Sequence, residues 1–372
     1  MSPTSPTTPP APAPTTATIP TTASPLAPGE RGGRAWATEA DNRRRWDGKP
    51  GHYEVWYLTL NHRPTRTGAW LRYTLEAPMA GEARAALWFA HFDSRDPSRT
   101  FAIHRDFPVG DMVTQARPFA LSLPGALLGH DRARGALVGG GHSASWELSW
   151  LPATRTHRLL PRLFYAGGGL GGTCVLSPNL SVPVSGSIEA DGQRFELTRE
   201  PGAQTHLWGR RHAHSWAWGH SNAFEGRPDI AFETLTARVE RGGRVLPPLT
   251  ALSLYLGDEA LRWTRLRDLA FTRGQFGTCF YRFSAAAPRC RLEGEFSCKP
   301  HDMVQAEYHD PGGGAVHCAN TEIADLRLTL FRRVSPFGRW REAARLHAPR
   351  AGHFEVGGRQ HDPAIGKAHR RI

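Results

Sequence analysis

The chain has 372 residues, 40% of them hydrophobic, which is enough apolar material for one large domain or two medium ones. Its net charge is +12, but Lys49, Lys299 and Lys367 are the only lysines, and the arginines are spread along the chain. GC-rich coding explains that bias as well as phosphate binding does, so nucleic acid is not the expected partner. No apolar run approaches the roughly 20 residues a membrane helix needs, which argues against stable membrane insertion.

The first 29 residues are almost entirely Pro, Thr, Ser and Ala. Such a stretch has nothing to bury, and residues 1–48 are expected to form a disordered tail. It has neither a basic n-region nor an apolar h-region, so a secretory signal is not indicated and a cytoplasmic protein is expected.

Short aromatic and β-branched runs follow, separated by Gly, Pro, Asp or Asn: 53–60, 69–77, 83–92 and 143–150, then 192–199, 231–240, 278–285, 291–298 and 325–333. "EADGQ" (189–193) and "ERGGR" (240–244) suit hairpins. "GGGLGG" (167–172) lacks the Gly-Lys-Ser/Thr ending of a phosphate loop and opens no helix, so it reads as a connection near a pocket mouth. "TREPGAQ" near residue 200 suggests a break. The ordered chain then divides into a β unit over 49–203, a second over 204–350 and a C-terminal tail over 351–372. Helical spacing is clear only in "SPFGRWREAARLH" (335–347), with Ser335 as cap and Pro336 in the first turn. Many strands and one late helix predict an all-β protein of barrels or sandwiches. The five cysteines, without a Cys-x-x-Cys pair, read as reduced core thiols.

"THLWGRRHAHSWAWGHSNAF" (205–224) places its bulky residues at even positions, while the odd positions from 209 to 223 are Gly, Ala or Ser apart from Arg211. That alternation predicts a strand, bent at Gly209 or Gly219. Its small face lets another layer approach, and its large face lines a cavity with Trp208, His214, Trp216, Trp218 and Asn222 as ligand contacts. "GHSNA" nearly matches a nucleophile elbow at Ser221, but no helix follows it. His206, His212, His214 and His220 would string out along one strand face rather than converge, so no metal site is expected. Glu233 shares parity with Ala231, Leu235, Ala237 and Val239, and Glu322 with Ala324, Leu326, Leu328 and Leu330. Either carboxyl would enter an apolar interior, where desolvation readies it to act as an acid. A strand-end carboxylate paired with one of the many arginines is the plainer reading of each.

"YEVWYLTLNHRPTRTGAWLRYTL" with "ALWFAHFD", "SGSIEADGQRFEL" before the 205–224 run, and "YHDPGGGAVHCANTEIADLRLTLFRR" resemble the AttH-like superfamily, which includes carotenoid 1,2-hydratase (hydroxyneurosporene synthase) and tocopherol cyclase. The resemblance spans roughly 50–335, by pattern rather than strict motif. It implies two lipocalin-like antiparallel β-barrels side by side and a pocket for a hydrophobic molecule. Relatives hydrate, cyclise or isomerise polyenes, and some fungal members catalyse cycloadditions. One departure stands out. The hydratase-like members carry Trp-x-Asp in the junction strand, the Asp being their proposed proton donor, whereas this chain has Trp216-Ala217-Trp218.

The combined expectation is a protein that binds a large terpenoid-, carotenoid- or polyketide-like molecule, without cofactor, and cyclises, isomerises or hydrates it. His220, Glu233 and Glu322 are its candidate catalytic residues. A non-catalytic carrier and an Arg-rich nucleic-acid binder are the alternatives. The oligomeric state is left open.

Overall fold

The computed structural model describes residues 37–165, 172–365 and 369–371. The described residues form two large, curled, almost wholly antiparallel sheets, of 12 and 10 strands. The first runs from His52–His62 through to Thr173–Ala190 and Gln193–Gly209. It curls around an interior of Trp56, Leu58, Leu71, Leu87, Phe89, Leu121, Trp146 and their neighbours. The second holds Ser215–Ser221, Ile230–Arg238, Ala315–Arg332 and Arg341–Gly358 around Phe232, Leu252, Tyr281, Phe283, Phe296 and Phe354. Its ends come close together: Thr272 Oγ1 donates to Thr250 O at 2.7 Å, and a Cβ at Gly274 would run into Thr236 and Thr250.

The hairpin turns follow their residues. Asp191 and Gly192 have φ of 48° and 75°, and Gly242 and Gly243 have 56° and 73°, the doubled positive φ that tight hairpins need. All five cysteines are free, with Cys174, Cys290 and Cys318 buried.

Four expectations from sequence are corrected. Residues 335–347 are not a helix, and none of the described residues is α-helical. The apolar residues Ala344, Leu346 and Ala348 alternate, and they pair with Leu330, Leu328 and Leu326, so cross-strand packing overrides local helical spacing. The tail does not extend to 48. Thr38, Glu39 and Asn42 are buried, with Thr38 Oγ1 bonded to His130 Nε2 at 2.9 Å and Asn42 Nδ2 donating to Gln204 Oε1 at 2.9 Å. Polar anchors hold this segment, which an apolar-run criterion does not detect. No break occurs near residue 200, because Gln193–Gly209 is one strand. The chain from 351 is not a tail either: Ala351, His353 and Phe354 are buried in the second sheet, and His369–Arg371 pairs in parallel with Phe101–Pro108 of the first. "GGGLGG" falls, but for Gly172, outside the described residues.

The 205–224 run is two strands, not one. The chain leaves the first sheet at Gly209 and enters the second at Ser215. His212 pins the crossing, with Nδ1 at 2.7 Å from Asp310 Oδ1 and its ring stacked 4.1 Å from Tyr53. The small face points into the second barrel: Ala217 is fully buried there, and a Cβ at Gly219 would meet the Phe296 ring. The large face turns toward the first sheet. Trp216 and Trp218 join Tyr53, Val55, Tyr57, Trp70, Trp88, Tyr308, Cys318 and Ile323 in a third apolar cluster, the seam between the sheets.

Ala217→Leu should overpack the second barrel and cost about 1–3 kcal/mol. Trp218→Ala should empty part of the seam and cost about 3–5 kcal/mol. Urea denaturation measures both, and a Trp218→Ala protein as stable as the native one would mean the seam is not packed as described.

Candidate functional site

Along the seam lies a row of buried polar side chains. Register builds it: His220 pairs across with Glu233 on one side and His353 on the other, and the irregular pairing between Thr321 and Ala324 brings Glu322 to His353. Trp218 Nε1 donates to Glu233 Oε1 at 3.0 Å. His157 Nε2 lies 2.9 Å from Glu233 Oε2, and its Nδ1 is 2.7 Å from the Tyr255 hydroxyl. The His220 ring stacks on Trp218 at 6.1 Å and 9°, and sits 5.3 Å from His353. His353 Nδ1 is hydrogen-bonded to Glu322 Oε2. The three acid–base candidates, read from two distant stretches of sequence, therefore meet in one cluster.

Their protonation follows from burial. His220, Glu322 and His353 are each 0% exposed. Burial pushes His220 down to about 3, assisted by neighbouring His353, and pushes His353 to about 3. Burial raises the Glu322 carboxyl well above the ordinary range. Both shifts favour the uncharged forms of Glu322 and His353. Glu233 differs: burial pushes it up, but hydrogen bonds and charge from His157, with His220 and Trp218, outweigh this and hold it below its usual value.

The row is incompletely satisfied. His220 Nε2 donates to the Leu180 carbonyl at 3.0 Å, which leaves Nδ1 as a bare lone pair. His220 Nδ1, His353 Nε2, Glu322 Oε1 and Asn222 Oδ1 have no hydrogen-bond partner among the described residues.

The other expected contacts scatter. Asn222 adjoins the cluster, its Nδ2 donating to Ser181 Oγ and Gly202 O. Trp216 is in the seam, but its Nε1 donates to Glu355 Oε1 at 2.6 Å. Trp208 lies under Arg45 at 4.9 Å, and His214 is half-exposed, 3.9 Å from Glu240. The four histidines of 205–224 go to four separate partners: His206 to Glu54, His212 to Asp310, His214 to Glu240 and His220 to Leu180. Ser221 Oγ donates to the Ala351 carbonyl rather than to a histidine, which gives no support to an elbow. His157 and His353 were missed. One sits in a loop with no periodicity, the other in a stretch read as tail, although "AGHFEV" alternates as a strand does.

The expected open cavity along the large face is filled by seam packing. Two clefts elsewhere, edged by Trp88, His104 and His309 and by His62, His91 and Phe195, hold about 10 Å³ each, near the volume of one water.

Residues 180–358 match the model of the tocopherol cyclase-like family. This stretch is similar to that family. It contains His220, Glu233, Glu322 and His353, and begins at the residue whose carbonyl takes the His220 proton donor. An uncharacterised protein of Mycobacterium tuberculosis, in strains CDC 1551 and H37Rv, is 28% identical over 299 residues, covering 78% of this chain and 84% of its own. The crystal structure of an AttH protein from Nitrosomonas europaea covers 91% of this chain and 100% of its own, with a TM-score of 0.54 at 12% identity, and so shares the fold. Kievitone hydratase from Nectria haematococca covers 82% of this chain and 89% of its own, with a TM-score of 0.48 at 8% identity. The family match over 180–358 agrees with the superfamily resemblance seen in the sequence.

A pH prediction follows. Unfolded, His220 and His353 bind protons below about pH 6.5, whereas folded they resist to about 3, so acid removes stability as pH falls below 6.5. Glu322 has the opposite sign, since the folded protein keeps a proton that the unfolded chain releases above about pH 4.5; the two histidines outweigh this loss up to pH 6.5, and above that it stands alone. Each proton contributes about 1.4 kcal/mol per pH unit. Urea midpoints should peak near pH 6.5, and Glu322→Gln should flatten the decline toward pH 8.5. An unchanged decline would mean that Glu322 is ionised in the fold.

Proposed function

We propose that this protein is an acid–base catalyst that moves a proton on a hydrophobic polyene- or terpenoid-like molecule, cyclising, isomerising or hydrating it. One observation carries the reading: a hydrogen-bonded carboxyl–imidazole pair and an unpaired imidazole nitrogen lie side by side, fully buried, against an indole face. The tocopherol cyclase-like match over the same residues supports it.

The chemistry divides among these groups. The proton of the Glu322 carboxyl goes to a carbon–carbon double bond, leaving a carboxylate beside His353 and a carbocation on the substrate. The Trp218 ring, stacked next to His220, stabilises that positive charge through its π face. His220 Nδ1 then removes a proton from the carbon next to the cation. A pKa of about 3 makes it a weak base, but a carbocation is a far stronger acid, so a weak neutral base is sufficient. Water adding to the cation, and giving its surplus proton back to the Glu322 carboxylate, would give hydration instead. Glu233, anionic and held by His157 and Trp218, orients the indole and balances the charge nearby. Asp is absent from the Trp216-Ala217-Trp218 trio, and Glu322, arriving from the opposite strand pair, takes the acid's place. Substrate reaches the cluster by parting the seam, since packed side chains fill it.

The test is a panel of linear terpenoids and polyenes incubated with protein in heavy water, read by mass spectrometry. The expected outcome is deuterium incorporation into one class, with Glu322→Gln reducing turnover about 10²–10⁴-fold and leaving the ligand-induced thermal shift in place. A bound ligand that never exchanges, in native protein and variant alike, would make the protein a carrier.

A further inference from the structure

The hairpin joining Ala315–Arg332 to Arg341–Gly358 ends in a tip over residues 333–340. Phe337 at that tip is 99% exposed and Val334 is 91% exposed, more than any other large hydrophobic among the described residues. The stretch 332–341, "RRVSPFGRWR", holds four arginines and no acid. From this we propose that the tip is a membrane-docking element that seats Phe337 and Val334 in the headgroup layer of an anionic bilayer.

Several observations choose a lipid surface over other partners. The neighbouring carboxylates are occupied: Glu259 is bonded to Arg332 through both oxygens at 2.6 Å, and Glu342 accepts from Arg345 at 2.8 Å. Arg339 and Arg341 have no carboxylate partner among the described residues, so their charge is available to phosphate. Trp340 lies beside them, its ring 4.2 Å from the Arg333 guanidinium and 5.5 Å from that of Arg291. An aromatic ring flanked by arginines suits the zone where acyl chain meets headgroup. The tip's backbone is partly closed on itself, Gly338 N donating to Ser335 O at 3.0 Å, which lowers the cost of leaving water. Two apolar side chains on a narrow turn can enter a bilayer. They make a poor protein interface, which needs roughly 800 Å² on each partner. Nucleic acid would use the arginines but gain nothing from Phe337 and Val334. The inference does not depend on the chemistry proposed for the seam.

Vesicle flotation of the full chain tests it, using phosphatidylcholine alone and phosphatidylcholine mixed with phosphatidylglycerol. The native protein should float with the mixed vesicles, less so as salt rises, and scarcely with phosphatidylcholine. A Phe337→Ser, Val334→Ser double variant changes only exposed side chains, so its thermal midpoint should match the native one while partitioning falls about tenfold. Arg339→Gln with Arg341→Gln should weaken binding to the mixed vesicles alone. Native protein that does not float, or a double variant that floats as well, would overturn the proposal. A double variant that instead turns a dimer into a monomer on sedimentation would assign the tip to self-association and equally overturn it.

Discussion

The strands between His52 and Asp93 are buried on both faces, and the rest of the molecule is arranged around that constraint. Trp56, Leu58 and Leu60 point into the first barrel, while Tyr53, Val55 and Tyr57 point out of it. An outward face of Tyr, Trp and Val cannot be left to water, since each such side chain is worth about 1.5–3 kcal/mol on burial. The second sheet covers it with Trp216, Trp218, Tyr308 and Ile323. Arg72 is caught between the two, its guanidinium 4.0 Å from the Tyr308 ring and 5.6 Å from Trp70.

Sealing that face also seals in polar groups, and the fold treats two sets of them differently. Glu54 accepts hydrogen bonds from Arg45 N, Trp46 N and His206 Nε2 and meets His52, so that although burial pushes its carboxyl up, these partners bring it down to about 2. That site is closed, and it ties the segment before the first strand to the barrel. The Glu322–His353–His220 row has the same residue types but keeps three polar atoms unpaired. A saturated carboxylate holds structure, whereas the proton-transfer role we propose rests on a buried acid beside a bare imidazole nitrogen. Composition does not distinguish the two sites; the count of donors around each carboxyl does.

Long-range pairing also explains the misread C-terminal segment. In 335–347 helical and strand periods coexist, because Ala344, Leu346 and Ala348 satisfy an alternation that becomes decisive only when Leu326, Leu328 and Leu330 lie opposite. Once that pairing forms, the residues before it have no core to join. Val334 and Phe337 are left in solvent at the turn, where a helix would have placed them along a face.

By itself the sequence determined the elements whose cause is local. The strands from 53 to 92 and the doubled-φ hairpins were legible because alternation and turn chemistry act over a few residues. The alternation in 205–224 and the apolar parity of Glu233 and Glu322 were legible for the same reason. The tertiary structure decided everything that depends on what lies opposite. It split 205–224 between two sheets, turned its large face to a packed seam instead of a cavity, and placed His157 beside Glu233 and His353 beside Glu322, both far away along the chain. The physical reason is that period two specifies two faces but does not say which layer will cover each one. That choice is made by burial of the assembled sheets, a property no single stretch of this chain possesses.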